Sequence, residues 1–421
     1  MVCCAGTAMP MRTFPPMLVA ALALVTVSCG GGSEPAEWTM TLDRVASPAG
    51  AASSEPQITV ARGGVVLSWV ERVGKTTSLK FAERTGSGWS TPVTAAAGDN
   101  WFLSYADVPS VMRLENGTLV AQWLENIDPV RESYNLLLSY STDSGKTWAR
   151  PFMPHHDGTE TQHGFASLLE LPGNALAVIW LDGRNSEFLD NDPASGTMTL
   201  RSAAYDAGWK QMADLEIDHK VCECCSTTAA VAQDGAITAY RDRSDDEVRD
   251  IAVSRLEGTK WTEPVPVARD NWRIDFCPVN GPALSVRGRD IVVAWFTVKN
   301  EVGQAYAAFS KDGGHTWGMP VRLDDGGSLG RVDVELLDDG ASAIASWVEY
   351  AQGASEVRIR RIDRLGARSA PITVAGVSGG RASGFPRMAR RGNELVLAWS
   401  DSGPSEDGQL QVQTAVGQLP D

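Results

Sequence analysis

The chain of 421 residues is long enough for one large all-β domain or for two or three average domains. Its 37 Lys and Arg and 52 Asp and Glu give a formal net charge of −15, with both signs mixed along the chain. This balance argues against nucleic acid and against an anionic membrane surface as the main partner. A local group of arginines would still bind an anionic ligand.

The N-terminus has the pattern of an export signal. Residues 17–27 form an apolar run after Arg12 that is too short to span a membrane. Ser28 and Cys29 follow, and then three glycines. A small residue before Cys and a flexible stretch after it resemble the bacterial lipobox and its tether, and the resemblance implies acylation of Cys29. An ordinary secretory signal with an incidental Cys is the alternative.

These patterns define the expected organisation of the chain. We expect a signal peptide at 1–28, a lipidated cysteine with a flexible tether at 29–36, and a single domain at 37–421. The protein would then be an exported monomer, anchored by lipid to the bacterial envelope at the outer membrane or the cell surface. It would touch the membrane through this anchor only, because no later segment approaches the ~18 apolar residues of a transmembrane helix.

A strand that ends in an aromatic residue recurs along the rest of the chain. Self-similarity at a fixed period, here about 55 residues, is typical of solenoids, arrays and propellers. Short strands separated by turn signals, without a sustained 3.6-residue periodicity, favour the all-β option. We therefore predict a β-propeller of four-stranded blades. The seven recurring aromatics are Trp69, Trp123, Trp180, Tyr240, Trp295, Trp347 and Trp399.

A second pattern, S-x-D-x-G-x-x-W, follows within the repeats. Its two clean copies, at 141–148 and 310–317, resemble the Asp-box of sialidases and related propellers. The Asp can accept N–H bonds within a turn, the Gly can adopt a left-handed backbone, and the Trp can pack between blades. We therefore predict a structural role for these Asp residues. Weaker copies lie at 82–89, 202–209, 254–261 and 361–369.

The number of repeats favours seven blades. The seventh aromatic strand is followed by one more strand, at 410–415, and a fourth is missing there. Residues 37–42 resemble the Trp-led fourth strands, and Trp38 precedes Trp89 by 51 residues. We expect this N-terminal strand to close the ring and remove its exposed sheet edges. A six-bladed ring with an irregular module, closer to sialidases proper, is the alternative.

Candidate binding residues concentrate in two sets of predicted loops. In propellers of this kind, the loops that enter each blade and the loops between second and third strands open on one face around the central channel. The alternative interpretation is that the Asp–Arg pairs among them hold neighbouring blades together. The candidates are Trp101, Tyr105, Asp107, His163, Asp182, Arg184, Arg241, Arg243, Arg249, Asp250, Asn280 and Arg331.

The resemblance to sialidases implies a chemistry for five of these residues. Sialidases bind the substrate carboxylate with three arginines, use a Tyr–Glu pair as nucleophile and place an Asp as acid/base. By topology, the resemblance implies an arginine cluster at Arg184, Arg241 or Arg243, and Arg331, with Asp107 as the acid. The sequence lacks the family's R-I-P signature and has no matching Tyr–Glu pair.

Two classes of function follow from this resemblance. The first is a sialidase-like glycoside hydrolase in the cell envelope that acts on an anionic glycan. The alternative is a non-catalytic propeller that binds a glycan, a protein or another envelope ligand through the same face. The propeller fold alone does not choose between them, because it serves many activities.

Four cysteines lie in the loops that enter the fourth and fifth blades. In an oxidising envelope we expect Cys222, Cys224, Cys225 and Cys277 to form disulfides. Because the neighbouring Cys224 and Cys225 do not pair easily, at least one bond should reach Cys277. The alternative is a thiolate site for copper or zinc, completed by His219 or His163. We predict no other cofactor.

Overall fold

The computed structural model describes residues 38–61, 64–86, 88–128, 132–186, 196–401 and 409–420. The predicted signal peptide, Cys29 and its tether lie outside these residues. Within them, no helix is both long enough and apolar enough to span a membrane.

The described chain forms seven antiparallel sheets, the blades of a β-propeller, as the repeat predicts. Strand order follows the sequence in six of them. Blade 1 consists of Ser53–Ala61, Gly64–Val73, Thr76–Glu83 and Val93–Gly98; blade 2 of Ser110–Arg113, Leu119–Asp128 and Ser133–Ser141; blade 3 of His163–Leu171, Ala175–Ser186, Gly196–Tyr205 and Gln211–Val221. Blade 4 consists of Thr228–Ala232, Gly235–Arg241, Ile251–Glu257 and the short pieces Lys260–Trp261 and Val265–Pro266; blade 5 of Ala283–Arg287, Asp290–Lys299, Val302–Ser310 and Val321–Arg322; blade 6 of Ser328–Leu336, Ser342–Ala351, Ala354–Asp363 and Ile372–Val377.

Blade 7 is built from both ends of the domain. Its strands Arg387–Arg391, Glu394–Asp401 and Gln411–Gln418 are completed by Leu42–Val45, with Leu42 opposite Gly417. The predicted closure by an N-terminal strand is therefore confirmed. Its predicted position at 37–42 is wrong, because the Trp38 side chain packs into the core of blades 6 and 7 before the chain pairs.

The recurring aromatics form the centre of each blade. All seven lie in second strands and are at most 3% exposed. Their neighbours are apolar residues from the adjoining blade, so that each hydrophobic cluster joins two sheets. The period of about 55 residues in the sequence is therefore the period at which one large buried ring is needed per blade.

The S-x-D-x-G-x-x-W segments form tight turns between third and fourth strand positions. Asp143 accepts the Thr147 N–H at 2.9 Å and the Thr147 hydroxyl at 2.7 Å. These bonds lower the pKa of Asp143 to about 2. Gly145 adopts φ +85°, and a Cβ there would lie 3.0 Å from Phe81 of blade 1. The Asp and Gly thus hold the turn against the neighbouring blade, in keeping with the predicted structural role.

Candidate functional site at the channel mouth

The first strands of the blades line a central channel. It contains a cavity of about 220 Å³, with residues from all seven blades in its wall. Four ionisable side chains face this space, namely Asp107, Asp333, Glu335 and Arg387. The channel is therefore polar, unlike the apolar interfaces between blades.

Asp107 is held as a buried carboxylic acid in the channel wall. Its side chain is 2% exposed, and its Oδ1 accepts the Phe165 N–H at 2.7 Å. The Tyr134 hydroxyl is a second partner of this carboxyl group. Burial raises the pKa of Asp107 to about 7. Gly164 makes room for this carboxyl group, since a Cβ there would lie 2.2 Å from Oδ2.

A second carboxyl group, which the sequence pattern did not single out, lies near Asp107. Burial raises the pKa of Glu55 to about 8; Arg72 lowers it, and the neighbouring charge of Asp107 raises it further. Glu55 has φ +58°, a backbone conformation that is uncommon for a residue with a side chain. Near neutral pH Glu55 is therefore mostly protonated and Asp107 is partly protonated.

Arg331 is a buried cation without a carboxylate partner in the described chain. Its side chain donates to Ser383 Oγ at 2.5 Å and to the Gly380 carbonyl at 2.9 Å. Its backbone has φ +55°, and its N–H donates to Asn280 Oδ1 at 2.8 Å. Burial lowers the pKa of Arg331. Such a strained, positioned residue in a cleft is typical of a functional site.

A second arginine and two aromatic rings lie beside Arg331. The guanidinium carbon of Arg381 is 5.9 Å from the centre of the Tyr105 ring, and Tyr105 stacks on Phe385 at 6.3 Å. Burial raises the pKa of Tyr105, and the charges of Arg381 and Arg331 oppose this change. Arg381 is exposed and has no carboxylate partner in the described chain. We call Tyr105, Arg331, Arg381 and Phe385 the mouth cluster.

Two members of the mouth cluster were not among the residues predicted from sequence. Arg381 and Phe385 lie between Ile372–Val377 and Arg387–Arg391, in the loop that enters blade 7. The rule that selected loops entering the other blades applies equally to this one. Its segment R-A-S-G-F-P-R was therefore a readable signal.

The other arginines of the predicted cluster are already neutralised or fully hydrogen-bonded. Arg184 makes a two-pronged ion pair with Asp182, at 2.7 and 2.8 Å. Arg241 is 2% exposed and donates to three backbone carbonyls, including that of Asn280 at 2.7 Å. Arg243 pairs with Glu223 and Glu247. Of the four arginines in that cluster, Arg241 and Arg331 have no carboxylate partner among the described residues, and Arg331 is the one that lies beside Tyr105.

Asp182 belongs to a recurring structural pattern. In four blades the indole N–H of the second-strand Trp donates to a carboxylate two residues later. A buried indole requires such an acceptor, so the carboxylate at this position serves the blade core. The pairs are Trp69–Glu71 at 2.8 Å, Trp123–Glu125 at 3.0 Å, Trp180–Asp182 at 2.8 Å and Trp347–Glu349 at 2.7 Å.

A group of two histidines and one carboxylate lies beside Arg184. His163 Nε2 is 3.1 Å and His155 Nδ1 3.6 Å from Asp157 Oδ2, and the three donor atoms lie within 4.8 Å of one another. The two rings stack in parallel, 3.7 Å apart. Parallel ring planes do not direct both nitrogens at one ion, and Arg184 lies 3.4 Å from the same oxygen. The two histidines are therefore structural partners of the Asp157 carboxylate.

Two of these four cysteines form a disulfide, and the other two are free thiols. Cys224 is joined to Cys277, whereas Cys222 and Cys225 are buried thiols with sulfurs 3.3 Å apart. Burial raises the pKa of Cys222, but its contacts with Cys225 and the nearby arginines bring it down to about 7. The His219 side chain is 85% exposed and is not grouped with the sulfurs. The disulfide occupies two of the predicted ligands, so this arrangement does not fit a four-ligand thiolate metal site.

Three further candidates hold the loops of this face in place. Trp101 stacks on Trp123 with ring centres 5.8 Å apart. Asp250 accepts backbone N–H groups of residues 271 and 272, at 2.9 and 3.0 Å. Arg249 donates to Glu223 at 2.6 Å and to Glu247 at 2.9 Å. Each is engaged by internal partners.

Comparison with known proteins extends to the fold only. No protein-family model matches the chain, and no curated protein matches it. Among solved structures it is similar to the polysaccharide lyase Uly1, with a TM-score of 0.52 and 8% identity over 87% of this chain and 90% of that chain. It is also similar to a variant of NanB sialidase from Streptococcus pneumoniae (TM-score 0.47, 9% identity, 85% and 83% covered) and to the GH93 alpha-L-arabinofuranosidase of Fusarium graminearum (0.48, 14%, 76% and 95%). The likeness to the lyase shows a shared β-propeller fold.

Proposed function

We propose that this protein is an envelope-anchored, glycan-active propeller that binds an anionic sugar at its mouth cluster and hydrolyses the glycosidic bond. The observation that carries the proposal is the convergence of Arg331 and Arg381, both without a carboxylate partner in the described chain, beside Tyr105. Guanidinium groups match the planar carboxylate of an acidic sugar and form strong charge-assisted bonds with it. The anchoring part of the proposal rests on the lipobox-like residues before the domain.

The aromatic members of the mouth cluster suit a sugar ring. Tyr105 and Phe385 lie nearly parallel, with 19° between their planes. The faces of a sugar carry C–H groups that pack on aromatic rings, while its polar edge is free for hydrogen bonds. An acidic sugar bound in this way would direct its carboxylate towards the two arginines.

Asp107 is the proposed general acid. It follows Tyr105 by two residues, and about half of its carboxyl groups carry a proton at pH 7 because burial raises the pKa to about 7. A carboxylic acid with such a pKa can protonate the leaving oxygen of a glycoside.

A purely binding function is the second candidate, and the burial of Asp107 favours it. This side chain is 2% exposed, and the cavity it faces, about 220 Å³, is smaller than the roughly 300–1,000 Å³ of most ligand sites. A glycan held at the surface by Arg381 would not reach Asp107 without movement of the loops.

Turnover of fluorogenic sialosides and uronides, together with binding of the same sugars, tests the proposal. We expect Arg381→Ala to lower kcat/KM by roughly 10- to 100-fold for acidic sugars, the scale of one charge-assisted hydrogen bond. The matched control is Arg364→Ala, an exposed arginine on a turn between third and fourth strands. Asp107→Asn should abolish turnover and preserve binding.

The two functions give different results in this experiment. Absence of turnover on every glycoside, with binding that Arg381→Ala weakens and Arg364→Ala does not, would replace the hydrolase with a binding protein. Neither turnover nor binding of any acidic sugar would contradict both.

A further inference from the structure

Four sulfur atoms meet where the chain enters blades 4 and 5. The Cys224–Cys277 bond joins these two loops. The sulfur of Cys222 lies within 4.8 Å of both bonded sulfurs and 3.3 Å from the sulfur of Cys225. Cys222 therefore lies between a disulfide and a second thiol, in the order needed for exchange.

Two arginines beside Cys222, Arg249 and Arg241, favour its thiolate, against the opposing charge of Glu223. Arg249 directs Nη1 at the Cys222 sulfur from 3.4 Å. A neighbouring cation stabilises a thiolate, which is the nucleophile in disulfide exchange, and repels a second cation. Both Cys222 and Cys225 are at most 2% exposed, whereas Cys224 and Cys277 are half-buried.

We propose that these cysteines form a thiol–disulfide exchange site that moves one disulfide between a half-buried and a buried position. In the first step the Cys222 thiolate attacks Cys277 Sγ, the Cys224–Cys277 bond breaks, and Cys224 leaves as a thiolate. In the second step the Cys225 thiolate attacks Cys222 Sγ, the Cys222–Cys225 bond forms, and Cys277 leaves.

The exchange is balanced without an oxidant or a reductant. One disulfide and two thiols are present before and after, and the protons of Cys222 and Cys225 pass to Cys224 and Cys277. Its products are free, half-buried thiols at Cys224 and Cys277, and Cys277 lies beside Phe276, which is 71% exposed. The loop that enters blade 5 then loses its covalent tie to blade 4, and the Cys277 thiol becomes able to react with external thiol-reactive compounds.

Native-state alkylation followed by peptide mass spectrometry tests the exchange. The whole protein is incubated with iodoacetamide at pH 8, acid-quenched, and digested with trypsin, which cleaves after Lys220, Arg241, Arg273 and Arg287. The starting form gives peptides 221–241 and 274–287 joined by a disulfide. We expect them to separate with time, with carbamidomethyl on Cys224 and Cys277 and the Cys222–Cys225 disulfide within 221–241.

Two variants assign the steps. Cys222→Ser removes the attacking sulfur and should slow labelling of Cys277 at least ~10-fold. Cys225→Ser should stop after the first step, with Cys222 bonded to Cys277 and Cys224 labelled. Equal labelling of Cys277 in the wild type and Cys222→Ser, no labelling while the wild type stays folded, or wild type isolated with two disulfides would each overturn the proposal.

Discussion

The indole N–H of Trp180 donates a 2.8 Å hydrogen bond to Oδ2 of Asp182, a fully buried carboxylate. Arg184 donates two further hydrogen bonds to the same carboxylate. The carboxylate therefore satisfies a core indole on one side and a cation on the other. A buried charge is tolerated when it is paired and hydrogen-bonded in this way. Asp182 and Arg184 thus stabilise blade 3, and Arg184 is not available to an anionic ligand.

Replacing Asp182 should therefore affect stability. We expect Asp182→Ala to lower the free energy of unfolding by about 3 kcal/mol or more, because it leaves a buried indole and a cation without their acceptor. Urea unfolding measures this change. The control is Asp245→Ala, which breaks the ion pair of a fully exposed carboxylate with Lys220 and should leave that free energy almost unchanged. Equal effects of both variants would contradict the structural role.

The contact of the Gly145 turn with blade 1 predicts that a side chain at this position lowers stability. Gly145→Ala and Gly366→Ala both place Ala at positive φ, +85° and +96°, which costs roughly 1–2 kcal/mol in each. A Cβ at residue 145 would also lie 3.0 Å from Phe81, whereas residue 366 faces open space. We expect the lower thermal midpoint for Gly145→Ala. An equal loss in both would show that the packing against blade 1 adds nothing.

The raised pKa of Asp107 predicts that the free energy of unfolding falls as pH rises. Its folded-state pKa, about 7, is above the ordinary carboxyl value near 4, so the folded state holds a proton that the unfolded state releases between these values. The contribution of this Asp107 proton to the free energy of unfolding is complete below pH 4. It is lost as pH rises to 7, by up to about 1.4 kcal/mol per pH unit. Urea midpoints at pH 5 and 7 should therefore differ less in Asp107→Asn than in the wild type. Identical pH profiles would contradict the raised pKa.

The N-terminal strand predicts that ring closure requires residues 38–45. A chain that begins at residue 46 lacks Leu42–Val45 and the buried Trp38, and it leaves Gln411–Gln418 as an open edge. We expect it to unfold at lower urea concentration and to aggregate in size-exclusion chromatography, in contrast to a chain that begins at residue 37. Indistinguishable behaviour of the two chains would show that closure does not contribute to stability.

The sequence alone was sufficient for the architecture. Each blade needs one large buried ring in its second strand, and this requirement recurs at a fixed interval, so the spacing of Trp69, Trp180 and Trp347 is enough to mark their blades. The turns at Asp143 and Asp312 are equally readable, since their hydrogen bonds lie within a few residues of chain. The Trp-x-acid pattern that assigns Asp182 to the core was also visible at Trp69–Glu71.

Only the tertiary structure decided which arginines are available to a ligand. Arg184 and Arg331 occupy comparable loops in the sequence, yet one is neutralised by a neighbour two residues away and the other meets only Ser383 and backbone carbonyls. Arg381 meets Tyr105 because the ring closes, bringing the last blade beside the first connections of the chain. The charge of an arginine is fixed by its residue type. Its partners and its burial depend on contacts between segments far apart in the chain, which periodicity does not determine.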